Sequence, residues 1–338
     1  MTPNVAATEA PAESSTPAHR PHARLEREPA DVRPSTPRRR PAPGLGAVLC
    51  LVSAAGFGLS AVFAKQSYAA GISVPAMLAG RFAVAAAVLW AIVAFRRPAF
   101  PARRTLITCI GLGGIGYAAQ AVLYFSSLAW IDASLTGLLL YLYPALVTGL
   151  AVLLRRERPD RRRYAALLCS AVGLVLILGS GGSIGSAAGI GVALALGSAA
   201  AYALYLTVAA GVPADLDVFL LSAIVCTSAC VTMTATGYAT GSMTGPTTVT
   251  GWGWVVLLAI FSTVVPIATL LAGIRLVGAP TASILSCAEP AVTVATTAAV
   301  YGERLTPGQL LGGVVILAAV LVLQVPFRRG GSRTRHAG

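Results

Sequence analysis

Charge is scarce in this 338-residue chain: Asp, Glu, Lys and Arg make up 11% of it, where a soluble globular domain carries roughly 25%. A water-exposed fold of this length needs polar surface that the sequence does not supply, which excludes an ordinary soluble enzyme or binding module. Histidine is rarer still. His19, His22 and His336 all lie near the chain ends, so histidine-dependent catalysis has no residues to use in the apolar part. The six cysteines, Cys50, Cys109, Cys169, Cys226, Cys230 and Cys287, all sit inside apolar stretches. Cys226 and Cys230 share a helix face at i, i+4, but no His or acidic neighbour joins them, and no metal or other cofactor is expected. Lysine occurs once, at Lys65, so the net charge of +13 is carried by arginine. A basic chain suggests nucleic acid until the charges are placed. Here nearly every Arg lies between or outside the apolar stretches, a topology signal rather than a patch, and no nucleic-acid partner is expected.

What the chain has in quantity is apolar residues, 56% of the total, with a mean hydropathy of +0.76. Residues 1–43 are the exception. They are rich in Pro, Ala and Arg, lack apolar periodicity and hold no signal-peptide core, and they predict a disordered cytoplasmic tail. From Gly44 the chain becomes apolar runs separated by short breaks. A spanning helix needs about 20 apolar residues, which predicts ten spans, at 44–64, 75–95, 105–126, 133–154, 164–180, 188–209, 216–237, 252–274, 279–301 and 308–327. A basic cytoplasmic tail, 328–338, follows. With the N-terminus inside, 22 of the 25 Lys and Arg residues fall on the cytoplasmic side, the exceptions being Lys65, Arg81 and Arg304. An error of one span in the middle would scramble that sorting. Trp130, Trp252 and Trp254 fall at outer ends of spans and Trp90 near an inner end, as interfacial belts require. The expected location is the inner (cytoplasmic) membrane, crossed many times, with both termini cytoplasmic and the bilayer itself as a partner.

The chain repeats itself. The stretch at 134–158 aligns without a gap to 280–304 at an offset of 146, placing Pro144 on Pro290, Glu157 on Glu303 and Arg158 on Arg304. Near the start, 51–59 aligns with 196–204 at offset 145. The expected fold is therefore all-α and membrane-integral: a first five-helix unit over 44–180 and a second over 188–327. Five is odd, so the second copy enters the membrane from the opposite side. The ten helices become two inverted repeats, an arrangement suited to alternating access. The bland reading is that duplication only built a larger bundle.

The two five-helix units resemble the EamA-type members of the drug/metabolite transporter superfamily. The residues that carry the resemblance are Ser53-Ala54-Ala55-Gly56-Phe57-Gly58, Arg81-Phe82, Glu289-Pro290, Gly302-Glu303-Arg304-Leu305 and Gln309 through Gly312. The first unit departs from the pattern, with Arg156-Glu157-Arg158 where the second has Gly302-Glu303-Arg304. The resemblance covers roughly 44–327 and implies secondary transport, often efflux of a metabolite or drug-like solute, with possible proton coupling. The alternative is a membrane-embedded enzyme or scaffold. Enzymes of that kind need clustered His, Asp, Ser or metal ligands, and no such cluster appears in the spans.

Ionisable residues inside a membrane are functional suspects by default. Glu289 lies ten residues into its span, about 15 Å deep at about 1.5 Å per residue, and Pro290 follows it. It is a candidate to carry a proton or meet a cationic substrate group; a structural acid is the other reading. Its repeat mate is Tyr143. Arg81 sits about 9 Å from the outer end of its span. It is a candidate partner for a substrate anion or for Glu289, or a side chain that snorkels. Lys65 is expected to snorkel at an outer end. Gln120 and Pro266 are repeat equivalents; Gln120 reads as a hydrogen-bonding group for substrate or for a neighbouring helix. Pro144, Pro266 and Pro290 are expected to break their helices. Tyr117, Tyr124, Tyr141, Tyr143, Tyr202 and Tyr205 could line a cavity, though each alone reads as packing. The pattern Gly111-Leu112-Gly113-Gly114-Ile115-Gly116 spells a dinucleotide fingerprint, but it lies within a span with no preceding strand, so close helix packing explains it better. Gly308 and Gly312 could bring a helix close, inside the fold or in a homodimer. The arginines at 155–163 read as a loop against anionic headgroups.

Overall fold

The structure, a computed structural model, describes residues 43–154, 161–180, 186–245 and 248–324. The N-terminal tail, most of the arginine-rich loop with Glu157 and Arg158, and the C-terminal tail expected from the sequence lie outside the described residues. All regular elements among the described residues are helical: α1 (Pro43–Gly58), α2 (Ser60–Ala69), α3 (Val74–Arg96), α4 (Arg103–Gly111), a π-helical turn (Leu112–Tyr117), α5 (Ala118–Ser127), α6 (Ala133–Leu140), α7 (Tyr143–Leu153), α8 (Arg161–Gly179), α9 (Ser186–Ala209), α10 (Val218–Ala239), α11 (Val249–Ala259), a second π turn (Ile260–Val264), α12 (Val265–Val277), α13 (Ala279–Ser286), α14 (Glu289–Tyr301) and α15 (Pro307–Gln324). Eight continuous stretches are long and apolar enough to cross a membrane, and two shorter apolar helices, Arg163–Gly179 and Pro307–Leu323, accompany them. Large apolar side chains such as Ile115, Leu168, Val175 and Val231 face outward, a surface that lipid accepts and water does not. The chain is an all-α, multi-pass membrane protein.

Polar residues mark where the helices start. Ser73 accepts a hydrogen bond from the Ala76 N–H at 3.4 Å and opens α3, with Pro75 in its first turn. Asp217 accepts from Phe219 and Leu220 N–H and opens α10. The same Asp217 carboxylate receives Arg96 Nε and Nη2 at 3.2 and 2.9 Å, which ties the end of α3 to the start of α10. The first span runs past its expected end at 64 and continues to Ala69. Its polar final turn is satisfied internally, for example by Ser67 Oγ donating to Phe63 O at 2.9 Å.

Helix α3 packs on α10, α1 on α12, α5 on α9, α6 on α14, and α8 on α15. In lipid such contacts rest on close van der Waals fit rather than on the hydrophobic effect, so small residues mark them. The α8–α15 crossing shows this. A Cβ on Gly312 would meet Gly173 O at 2.5 Å and Ile177 N at 3.0 Å. The Gly308–Gly312 face is therefore used within the chain. The dinucleotide-like glycines also pack: Gly113 lies against Val225 and Ser228 of α10, and Gly116 against Tyr205 of α9. Gly312→Leu should force α8 and α15 apart and cost about 1–3 kcal/mol, the usual cost of overpacking. A thermal unfolding midpoint in detergent equal to that of the parent would contradict this crossing.

Candidate functional site

Two spans are interrupted at matching places. Helix α6 ends at Leu140 and α7 begins at Tyr143; α13 ends at Ser286 and α14 begins at Glu289. The linking pairs, Tyr141-Leu142 and Cys287-Ala288, stand 146 residues apart, the offset of the repeat. Pro144 and Pro290 each follow as the second residue of the new helix, where a missing N–H costs nothing. Pro266 behaves differently from the expectation. Its span is not broken but runs from Val249 to Val277, and it widens to a π turn just before the proline. The wider turn gives the ring room against the preceding carbonyls, so the helix need not end.

Irregular backbone at membrane depth is tolerated where it lines a cavity, and the two breaks do so. Between them lie two joined lobes of about 120 and 220 Å³, together near the lower end of small-ligand sites, roughly 300–1,000 Å³. Phe57, Tyr141, Tyr143, Tyr202 and Glu289 line both. The smaller lobe reaches Ser60, Arg81, Tyr117, Gln120 and Tyr124. The larger follows α12 and α13 to Leu270, Ile274, Ala282 and Ser283.

The tyrosines form a connected wall. Ring centroids are 5.8 Å apart for Tyr117 and Tyr205, 6.0 Å for Tyr205 and Tyr202, 4.6 Å for Tyr202 and Tyr143, and 5.9 Å for Tyr143 and Tyr141. Read singly these residues looked like packing. Five of the six line the cavity, and Tyr205 stacks behind them. The wall ends at Glu289, whose Oε2 accepts from the Tyr141 hydroxyl at 3.0 Å. Among the described residues Glu289 has no ion-pair partner.

Arg81 is buried, at 4% exposure, so it does not snorkel. Nor is it ion-paired to Glu289. Its Nε donates to Thr263 Oγ1 at 2.8 Å and its Nη2 to Ser262 O at 3.0 Å. The guanidinium also lies 5.1 Å from the Phe125 ring centroid and 5.7 Å from that of Phe82. The second bond follows from Pro266: in an α-helix the N–H of residue 266 would meet the carbonyl of residue 262, and proline has none. Arg81 supplies that donor from another helix. Gln120 holds neighbouring helices together, the second of its two expected readings. It lines the cavity, and its Nε2 donates to Ser198 Oγ at 3.2 Å while Ser198 Oγ donates to Gln120 O at 3.0 Å, holding α5 on α9.

Lys65 departs from the snorkelling expectation. It forms an ion pair with Glu303 and lies 5.2 Å from the centroid of Tyr301. Glu303 was not singled out from the sequence as a site residue, yet among the described residues it accepts four hydrogen bonds, as many as Asp217. The positive φ of Gly302, 68°, turns the chain at the end of α14. Glu303 is thereby set against the start of α6, where it accepts from Ala133 N, Ser134 N and Ser134 Oγ at 3.2, 3.0 and 2.9 Å. Ser134 Oγ also lies 2.7 Å from Thr297 Oγ1. Helix α2 through Lys65, the start of α6 and the end of α14 are thus joined. Burial pushes the Glu303 carboxyl up, but the Lys65 ammonium and the Ser134 and Ala133 donors outweigh it and hold it below the usual glutamate range. For the neighbouring Asp132, burial and the Glu303 charge push the carboxyl up. The hints of Glu303 in the sequence were its place in the repeat and in the Gly302-Glu303-Arg304-Leu305 stretch that carries the resemblance; its partners come from segments 169 and 238 residues away.

A bundle of apolar helices, two of them broken around a polar, tyrosine-walled cavity at membrane depth, is the architecture of a multi-pass membrane transporter. Two stretches, residues 44–179 and 189–325, match the model of the EamA-like transporter family, and the chain belongs to that family. It is similar to the uncharacterized transporter YcbK of Bacillus subtilis (strain 168), with 28% identity over 278 residues, 79% of this chain and 88% of YcbK. A solved crystal structure with 18% identity shares the fold at a TM-score of 0.54, covering 82% of this chain and 96% of the other.

Proposed function

We propose that this transporter moves a small solute outward across the cytoplasmic membrane by alternating access, with Glu289 as the group that couples the movement to protons. The observation that carries the reading is Glu289 itself: a carboxyl at the junction of both cavity lobes, beside a helix break, with no cation among the described residues paired to it. A carboxyl so placed can hold a proton or a cationic group of the solute, but not both, and that exclusion is the basis of exchange. The tyrosine faces suit an amine-bearing or otherwise cationic solute with an apolar body.

Two further features support the inverted-repeat mechanism. The pairs α1–α12 and α5–α9 exchange with each other when the first repeat is laid on the second, and α8–α15 maps on itself. The breaks recur at the repeat offset. With the termini inside, as the arginine distribution indicates, the larger lobe extends toward the cytoplasm and the Lys65–Glu303 contact closes the outer end. The cavity then faces inward, ready to load a solute for export.

The test is solute flux in proteoliposomes across a panel of amines, amino acids and sugars, with and without a pH gradient. Glu289→Gln should insert normally and lose the dependence of flux on the gradient. Flux identical to the parent at every pH would remove Glu289 from the mechanism.

A further inference from the structure

The Tyr141 hydroxyl has two acceptors and one proton. Glu289 Oε2 lies 3.0 Å away and Ser286 O 3.2 Å away. Ser286 is the last residue of α13, and its carbonyl is the one that the N–H of residue 290 would meet if α13 and α14 were a single helix. Pro290 has no N–H to give. In a lipid-embedded site a carbonyl that loses its partner carries a substantial cost, so Tyr141 cannot serve Glu289 without weakening its hold on Ser286. Tyr141 itself belongs to the other break, between α6 and α7.

We infer that Tyr141 is a positioning residue that switches acceptor with the protonation of Glu289, holding both sides of the α13–α14 break when Glu289 is protonated and only the α14 side, through the carboxylate, when it is ionised. The inference rests on the reading of Glu289 as the proton-carrying group. With Glu289 ionised, its carboxylate is the stronger acceptor and takes the Tyr141 proton. When a proton arrives from the cavity at Oε2, the carboxyl becomes a donor. It donates to the Tyr141 oxygen, and the Tyr141 hydroxyl turns to Ser286 O. No proton leaves Tyr141; only its direction changes. The other groups facing Glu289 do not substitute for it. Tyr117 of the π turn, Tyr124 of α5, Tyr143 of α7 and Tyr202 of α9 share the cavity with Glu289, but among the described residues only Tyr141 donates a side-chain hydrogen bond to its carboxylate, and Arg81 of α3 is engaged with Thr263 and Ser262. Cys287, in the linking pair, donates to Ser283 O of α13.

Infrared difference spectra of the full chain in lipid vesicles, recorded between mildly acid and mildly alkaline buffer without any solute, separate the possibilities. The parent should show a protonated carboxyl C=O band at acid pH together with an amide I change from the Ser286 carbonyl gaining a hydrogen bond. Glu289→Gln should lose both. Tyr141→Phe, which keeps the ring, should keep the carboxyl band, shifted to higher frequency for want of its hydrogen-bond acceptor, and lose the amide I change. Pro290→Ala restores the missing N–H and should also abolish the amide I change with Tyr141 intact, which covers the case of a poorly folding Tyr141→Phe. A carboxyl band that depends on Glu289, with an amide I change that persists in either of these two variants, overturns the switch and leaves the proton reading standing. A pH response unaltered by Glu289→Gln overturns the proton reading and the switch with it.

Discussion

Replacing Arg81 with Ala is expected to abolish transport and to lower stability by about 3–6 kcal/mol, because hydrogen bonds from a charged group are each worth about 1.5–3 kcal/mol and two are lost. The loss reaches beyond Arg81. Without its Nη2, the Ser262 carbonyl keeps no donor from α3, and Pro266 offers none in its place. The π turn that accommodates Pro266 then loses its hydrogen bonds to α3, and the smaller lobe loses the one cation that lines it among the described residues. Arg81→Lys restores the charge but not the fork that reaches Thr263 and Ser262 together, so it should recover insertion better than flux. The check is flux per inserted molecule, with a detergent melting curve for each variant. A fully active, fully stable Arg81→Ala protein would mean that the guanidinium only fills space.

The second large effect is expected at Glu303. Glu303→Ala leaves Lys65 and the Ala133 and Ser134 N–H groups without their acceptor in a site where the Glu303 side chain is 5% exposed. Removing one partner of a buried pair costs about 3–5 kcal/mol. If this contact closes the outer end, the variant should also shift toward an outward-open form. A membrane-impermeant thiol reagent should then modify a cysteine placed at Ser60, in the smaller lobe, faster from outside than in the parent background. Equal labelling rates would show that the contact holds the helices without gating them. The pH dependence follows from the direction of the shift. Glu303 titrates below the usual glutamate value of 4.5 in the folded chain. Its contribution is therefore complete above that usual value and is lost as pH falls through the lowered one. The stability gap between the parent and Glu303→Gln should be constant at neutral pH and shrink in strong acid.

The breaks and the cavity were partly legible in the chain. The repeat located Pro144 and Pro290 as equivalents, and the isolation of Glu289 in an apolar span marked it before any geometry was known. Pro266 misled, because proline in a helix reads as a break unless the turn before it widens, and that widening depends on the room left by Gly56 of α1 beside Phe261 and Pro266. Lys65 misled for a related reason. A single cation near a span end finds water by default, and nothing near it in sequence announces Glu303.

By itself, then, the sequence determined what the bilayer selects for: the apolar lengths, the confinement of most arginines to the breaks and ends, the duplication and the rarity of buried charge. These are properties of one segment at a time, readable because lipid imposes them on each helix separately. Which polar groups meet was decided only by the tertiary structure. The partners of Arg81, Glu289 and Glu303 come from distant helices, and a hydrogen bond between helices depends on distance and direction that no spacing along the chain encodes.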